Sequence, residues 1–172
     1  MSEDLDDARR IIALLGLEPH PEEGGFFVET WRSERQVSAE ALGGIYDGPR
    51  SVGTAIYYLL TPDTFSALHR LKSEEVFHFY MGDPVEMLHL YPDGRAESVM
   101  LGQDIVNGQS PQVVVPAGVW QGARLAEGGR VALLGCTVAP GFEFADYEHG
   151  RRTELLDGWA AAAPLIEALT TE

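Results

Sequence analysis

The sequence predicts an all-β fold, an antiparallel sandwich or barrel with helices confined to its two ends. Three observations lead there. Short segments rich in β-branched and aromatic residues follow one another from residue 26 to residue 138. Turn signals such as "TPDT", "MGDP", "PDGR", "PAG" and "EGG" separate most of them. No helical periodicity interrupts the series, as the crossovers of a parallel α/β sheet would require.

Residues 4–17 read as an amphipathic helix, because Leu5, Ala8, Ile11, Ile12 and Leu15 recur at three- and four-residue steps and Gly16 stands near the stop. The texture changes at "PHPEEGGFFVETWRS", where Pro and Gly punctuate the chain and "FFVETW" has the composition of a strand. Further strands are expected at Val52–Leu60, Thr64–Leu71, Glu75–Tyr80, Val85–Tyr91, Ala96–Leu101, Gln112–Val115, Gln121–Leu125 and Val131–Val138. The tail "LLDGWAAAAPLIEALTTE" reads as a helical segment broken at Pro164.

Composition bounds the function. At 172 residues the chain has the size of one domain, residues 1–172, with enough core to stand without disulfides. Its formal net charge of -15 repels phosphate backbones and anionic lipid, so neither nucleic acid nor a membrane is an expected partner. The opening "MSEDLDDARRIIALLGL" has no small-residue cleavage site, and no apolar run reaches about 18 residues. A cytoplasmic protein is the expectation. Cys136, the single cysteine, lies in the apolar run "VALLGCTVAP" and reads as a buried, inert thiol.

Chemistry concentrates in "FSALHRLKSEEVFHFYMGD", residues 65–83, which holds His69, Glu75, His78 and Lys72, the only lysine of the chain. Side chains alternate faces along a strand. Phe65, Ala67, His69 and Leu71 therefore share one face, and Glu75, Phe77 and Phe79 share another, with Val76, His78 and Tyr80 on its reverse. In "GGFFVETWRS", Glu29 and Trp31 share one parity and Thr30 and Arg32 the other, so a regular strand turns at most one pair inward. His20 and His149 sit in Pro- or Gly-flanked stretches that suit exposed loops.

These residues resemble the cupin superfamily. Its first motif has two histidines one residue apart, a glutamate four or five positions on and a glycine seven further. His69, Glu75 and Gly82 match, while Leu71 stands at the second histidine position. The second motif, Pro-x-Gly followed three positions later by histidine, is met by Pro116 and Gly118, with Gln121 in place of the histidine. The blocks "PEEGGFFVETWRS", "HRLKSEEVFHFYMGDPVE", "VVVPAGVWQGARL" and "LLGCTVAPGFEFADYEHG" are similar to those of the DUF985, or cupin-5, subfamily and span residues 21–150. The resemblance implies a double-stranded β-helix, the cupin jelly-roll barrel, typically a homodimer. It also implies an architecture shared with seed-storage proteins and sugar-nucleotide epimerases.

Three readings of the site follow. In the first, His69 and Glu75 face one interior cavity as a metal-independent acid/base pair, acting on a small polar molecule such as a sugar or sugar nucleotide in epimerase, isomerase or dehydratase chemistry. Tyr57, Tyr58 and Tyr80 are the candidates for the opposite proton, with alternation leaving open which of them enters the barrel, and Glu29, Arg32, Lys72, His78, Trp120 and Gln121 are candidates for holding the substrate. In the second, the same residues bind a small molecule without turnover. In the third, a divalent metal sits on His69, Glu75 and Gln121, although intact cupin motifs would offer three histidines and a glutamate. No cofactor is the expectation, and the metal is the alternative.

Overall fold

The computed structural model describes residues 2–171, with side chains from residue 7 onward. Helix α1 (Ser2–Leu15) leads into β1 (Glu18–Pro19), β2 (Phe26–Arg32), β3 (Gln36–Val37), β4 (Arg50–Ser51), β5 (Thr54–Leu60), β6 (Ser66–Leu71) and β7 (Glu74–Gly82). Then come β8 (Val85–Leu90), β9 (Ala96–Leu101), β10 (Gln112–Val115), β11 (Trp120–Leu125), β12 (Ala132–Ala139) and β13 (Tyr147–His149). Helices α2 (Arg152–Gly158) and α3 (Ala163–Ala168) close the described chain. The strands expected from residue 52 to residue 138 all form, with ends displaced by no more than two residues.

Eleven of the strands make two facing sheets, ordered β1-β2-β5-β12-β7-β10 and β13-β6-β11-β8-β9, with antiparallel ladders throughout, and β3 and β4 pair separately. This is the jelly-roll barrel. Inward-facing Tyr58, Leu60, Phe77, Met87, Leu101 and Leu134 pack together between the sheets. They fill one end of the barrel, toward the β7–β8 turn, and leave the other end to polar residues. Outside, Ile11 and Ile12 of α1 lie with Leu17 against Leu59 and Leu133. Leu5, counted on the apolar face of this helix, lies outside the described side chains. Leu155 of α2 and Ile166 of α3 cover Leu68, Leu88, Leu90 and Trp120 on the back of the second sheet.

Two local features differ from the sequence reading. The ladder between β2 and β5 slips at Thr30, so that Glu29 faces Ile56 and Arg32 faces Thr54. A bulge of this kind adds one residue to one strand and resets its alternation. Glu29 and Arg32 therefore both turn inward, and the parity rule that would have separated them fails. Pro164 does not break a helix but sits in the first turn of α3. There a missing N–H costs little, because the first N–H groups of a helix have no intrahelical carbonyl to bond.

Candidate functional site

At the polar end the barrel holds a cavity of about 100 Å³, lined by His69, Glu75, Glu29, Arg32, His20 and Glu23 and walled by Phe27, Cys136, Phe142 and Phe144. His20 and Glu23 come from the turn between β1 and β2. This turn is pinned across the mouth. Tyr58 donates its hydroxyl hydrogen to the Gly24 carbonyl at 2.7 Å, and the Ala67 N–H bonds the Glu23 carbonyl at 2.8 Å. Gly24 has φ +94°, and a Cβ there would run into the Phe65 carbonyl.

The histidine tautomers follow from their partners. His69, 2% exposed, has Nδ1 2.7 Å from the Ala67 carbonyl, an acceptor only, so Nδ1 carries the hydrogen. In the neutral ring Nε2 is then a bare lone pair, 3.8 Å from Oε2 of Glu23. Tyr147 stacks on the ring with centroids 5.0 Å apart and fixes its plane. His20 is the reverse case: Nδ1 accepts the Glu23 N–H at 2.9 Å, so Nε2 carries the hydrogen, 3.8 Å from the same Glu23 oxygen. Burial lowers the His20 pKa and favours the neutral ring.

Glu75, on the opposite sheet, is 7% exposed. Its Oε2 accepts a hydrogen from Nε2 of Gln121 at 2.8 Å, and the Cys136 thiol faces it from β12. Burial, then the negative charge of Glu23, push its pKa up to about 8, while the bonds from Gln121 and Cys136 pull the other way and lose. Glu75 therefore holds its proton at neutral pH. The same burial raises the Cys136 thiol well above its usual range.

Arg32 spans the mouth. Its guanidinium donates twice to Glu29, at 3.0 and 2.9 Å, once to Glu143 at 3.0 Å and once to the Phe142 carbonyl at 2.9 Å. The loop that brings Phe142, Glu143 and Phe144 here is anchored from behind. Asp146 takes two hydrogen bonds from the buried Arg50, at 2.6 and 2.7 Å.

The other candidates fall elsewhere. Tyr80 and His78 lie on the outer face of the first sheet, their rings stacked with centroids 6.4 Å apart. The Tyr80 ring lies over Gly135, where a Cβ would strike it. His78 bonds Thr137 at 3.2 Å and Gln112 at 3.3 Å. Trp120 faces the C-terminal helices, with Arg70 over its ring at 4.5 Å, and Lys72 lies 3.7 Å from Asp146 outside the cavity. Gln121 stands behind Glu75 with Oε1 buried and without a partner. His89, across the ladder from Gln121, has an equally unpartnered Nε2.

His20 is a correction, for it is a cavity residue and not an exposed one. With Glu23 it was missed because the run "HPEEGG" reads as a plain turn. The sequence signal available was the histidine three residues before a glutamate that abuts two glycines.

A metal does not fit this donor set. Leu71 offers no ligand atom, and Gln121 turns its NH₂, not its oxygen, toward Glu75. His20 has its one lone pair taken by backbone N–H groups. Among the described residues no group of three or more His, Cys, Asp or Glu side chains is arranged to hold an ion.

Comparison with known proteins agrees with the architecture. The profile described as "Cupin superfamily (DUF985)" matches residues 9–150. An uncharacterized protein of Saccharomyces cerevisiae is 34% identical over 133 residues, which is 73% of this chain and 66% of the yeast protein, just under two thirds of its length. Among solved structures, protein SO0799 of Shewanella oneidensis superposes with a TM-score of 0.83 at 32% identity, covering 95% of this chain and 97% of that one. A hypothetical protein from Leishmania major gives 0.84 at 30%, covering 96% and 99%.

Proposed function

Since the chain belongs to the cupin superfamily, in its DUF985 group, we propose that its barrel is a metal-independent acid/base site acting on a small polar molecule by proton transfer, as an epimerase, isomerase or dehydratase does. One observation carries the reading: a buried carboxyl group held by Gln121 lines the same cavity as a histidine whose tautomer is fixed with a bare Nε2.

The roles divide accordingly. His69 Nε2 is the base, and the Glu23 carboxylate stabilises the imidazolium that forms when it takes a proton. Glu75 is the acid, oriented by Gln121. His69 and Glu75 come from different sheets, and the Glu75 carboxyl reaches Gln121, the ladder partner of His69. The cavity volume favours a molecule smaller than a sugar nucleotide, whose site would fall in the usual range of several hundred Å³.

Proton transfer at carbon leaves a record in heavy water. Small polar compounds incubated in D₂O with the protein should include one whose C–H signal is lost by exchange in the proton NMR spectrum. His69→Asn and Glu75→Gln should each slow that exchange by about a hundredfold or more while the circular dichroism stays unchanged. Exchange that persists in His69→Asn would remove the histidine from this role. Binding without exchange would make the protein a binding module.

We also propose that the protein is a homodimer formed through the outer face of the six-stranded sheet. Trp31, Tyr80 and Val114 are about half exposed there, at 49%, 50% and 55%, and aromatic residues on a flat sheet face suit an interface core. Light scattering should give twice the chain mass, and Trp31→Glu should shift it toward the monomer. A wild-type monomer at micromolar concentration would refute the assignment.

A further inference from the structure

The lining of the cavity has a sign. Arg32, the one arginine or lysine among the described residues that line it, bonds both Glu29 and Glu143 and spends four hydrogen bonds on groups of the protein. Two carboxylates over one guanidinium leave the mouth negative, and Glu23 adds a third carboxylate deeper in. The electrostatic field is felt inside: Glu23 helps to raise Glu75 on one side and Tyr147 on the other. An anion entering this space would meet that field with no free cation to receive it.

The walls have a chemistry too. Phe27, Phe142 and Phe144 line the cavity. Phe142 and Phe144 meet edge to face with centroids 5.1 Å apart, and the His20 ring lies 4.7 Å from Phe27 and 6.0 Å from Phe144. Aromatic faces attract cations through their quadrupoles, the more so where water is scarce. Aromatic walls with carboxylates between them are the surroundings in which an organic ammonium group is stable. Deeper in, the bare Nε2 of His69, a side chain 2% exposed, and the Glu75 carboxyl remain to bond a polar substituent.

We infer that the cavity selects a small aliphatic ammonium compound bearing a hydroxyl or carbonyl group, with the cationic nitrogen at the Phe142, Phe144 and Glu143 mouth and the polar substituent between His69 and Glu75. This rests on the acid/base reading for the inner end and adds the charge of the substrate. A volume of about 100 Å³ admits on the order of half a dozen non-hydrogen atoms.

Three probes of similar size separate the charges: ethanolammonium chloride, ethylene glycol and sodium glycolate, titrated by calorimetry into the full-length protein at one ionic strength. Ethanolammonium should bind about tenfold or more tightly than either of the others, since each tenfold step corresponds to about 1.4 kcal/mol. Glu143→Gln should weaken it about fivefold, and Phe144→Leu about threefold. Equal or tighter binding of ethylene glycol or glycolate overturns the inference, as does binding of none of the three.

The outcome is separable from that of the acid/base reading. Ethanolammonium bound equally by wild type and His69→Asn, with no deuterium exchange in any compound, would retire proton transfer and leave cation selection standing. Exchange found only in neutral or anionic compounds would do the reverse.

Discussion

Glu75 shows how burial converts an ordinary carboxyl group into an acid for neutral pH. Its folded pKa is raised from 4.5 to about 8, so between those values the native state holds a proton that the unfolded chain releases. Stability then falls as pH rises through this window, because the protonated form is the one the fold accepts. Glu75→Gln keeps the shape and the neutral charge and removes the titration. Chemical denaturation at a series of pH values should show the downward slope between about pH 4.5 and 8 flattened in this variant. Above pH 8 the variant should exceed wild type by on the order of a few kcal/mol. An unchanged slope would mean that the carboxyl titrates elsewhere.

Among the elements, the strands were the legible part. Alternation put His69 with Leu71 and Glu75 with Phe77 on shared faces and His78 on the reverse, and the ladders bear out that parity, whereas the candidate Tyr80 turned out to lie on the outer face. Alternation is a local rule, however, and the site depends on its interruptions. The bulge at Thr30 gathers Glu29 and Arg32, and no composition signal marks it. The turn carrying His20 and Glu23 folds over the mouth through contacts with Tyr58 and Ala67, which are distant in sequence. Trp120, legible as a neighbour of Gln121, went to the opposite face for the same periodic reason. The loop from Phe142 to Asp146 is held from behind by a buried ion pair, Arg50 with Asp146, both only 4% exposed at the side chain, and from the cavity side by Arg32. Arg50→Ala would leave that carboxylate buried without its partner and should cost about 3–5 kcal/mol. A loss under about 1 kcal/mol in urea denaturation would show that Lys72 or water replaces the guanidinium.

For the molecule as a whole, the two ends of the barrel are doing different things. One end is filled with Tyr58, Phe77, Met87 and Leu134 and keeps the sheets at a fixed spacing. The other is left to polar residues, with His69 and Glu75 on opposing sheets. The spacing of these two side chains is thus a property of the core beneath them. The overall architecture was readable because patterning is spread over many residues, whereas the cavity is assembled from segments near residues 20, 30, 69, 75 and 143. The acidic composition, by contrast, was read only as a statement about nucleic acid and membranes. In the structure it also sets the sign of the interior.

The single thiol has a practical value. Cys136 is buried at 3% exposure, and its pKa is pushed up by that burial, so it stays protonated and shielded from electrophiles. Val106, 95% exposed in the segment after β9, is not among the residues that line the cavity. A Val106→Cys variant should therefore take one maleimide dye per chain with the native cysteine left in place, as intact mass would report. The folded protein comes with its own background silenced, and a fluorescent reporter can be attached where it watches the barrel without standing in its doorway.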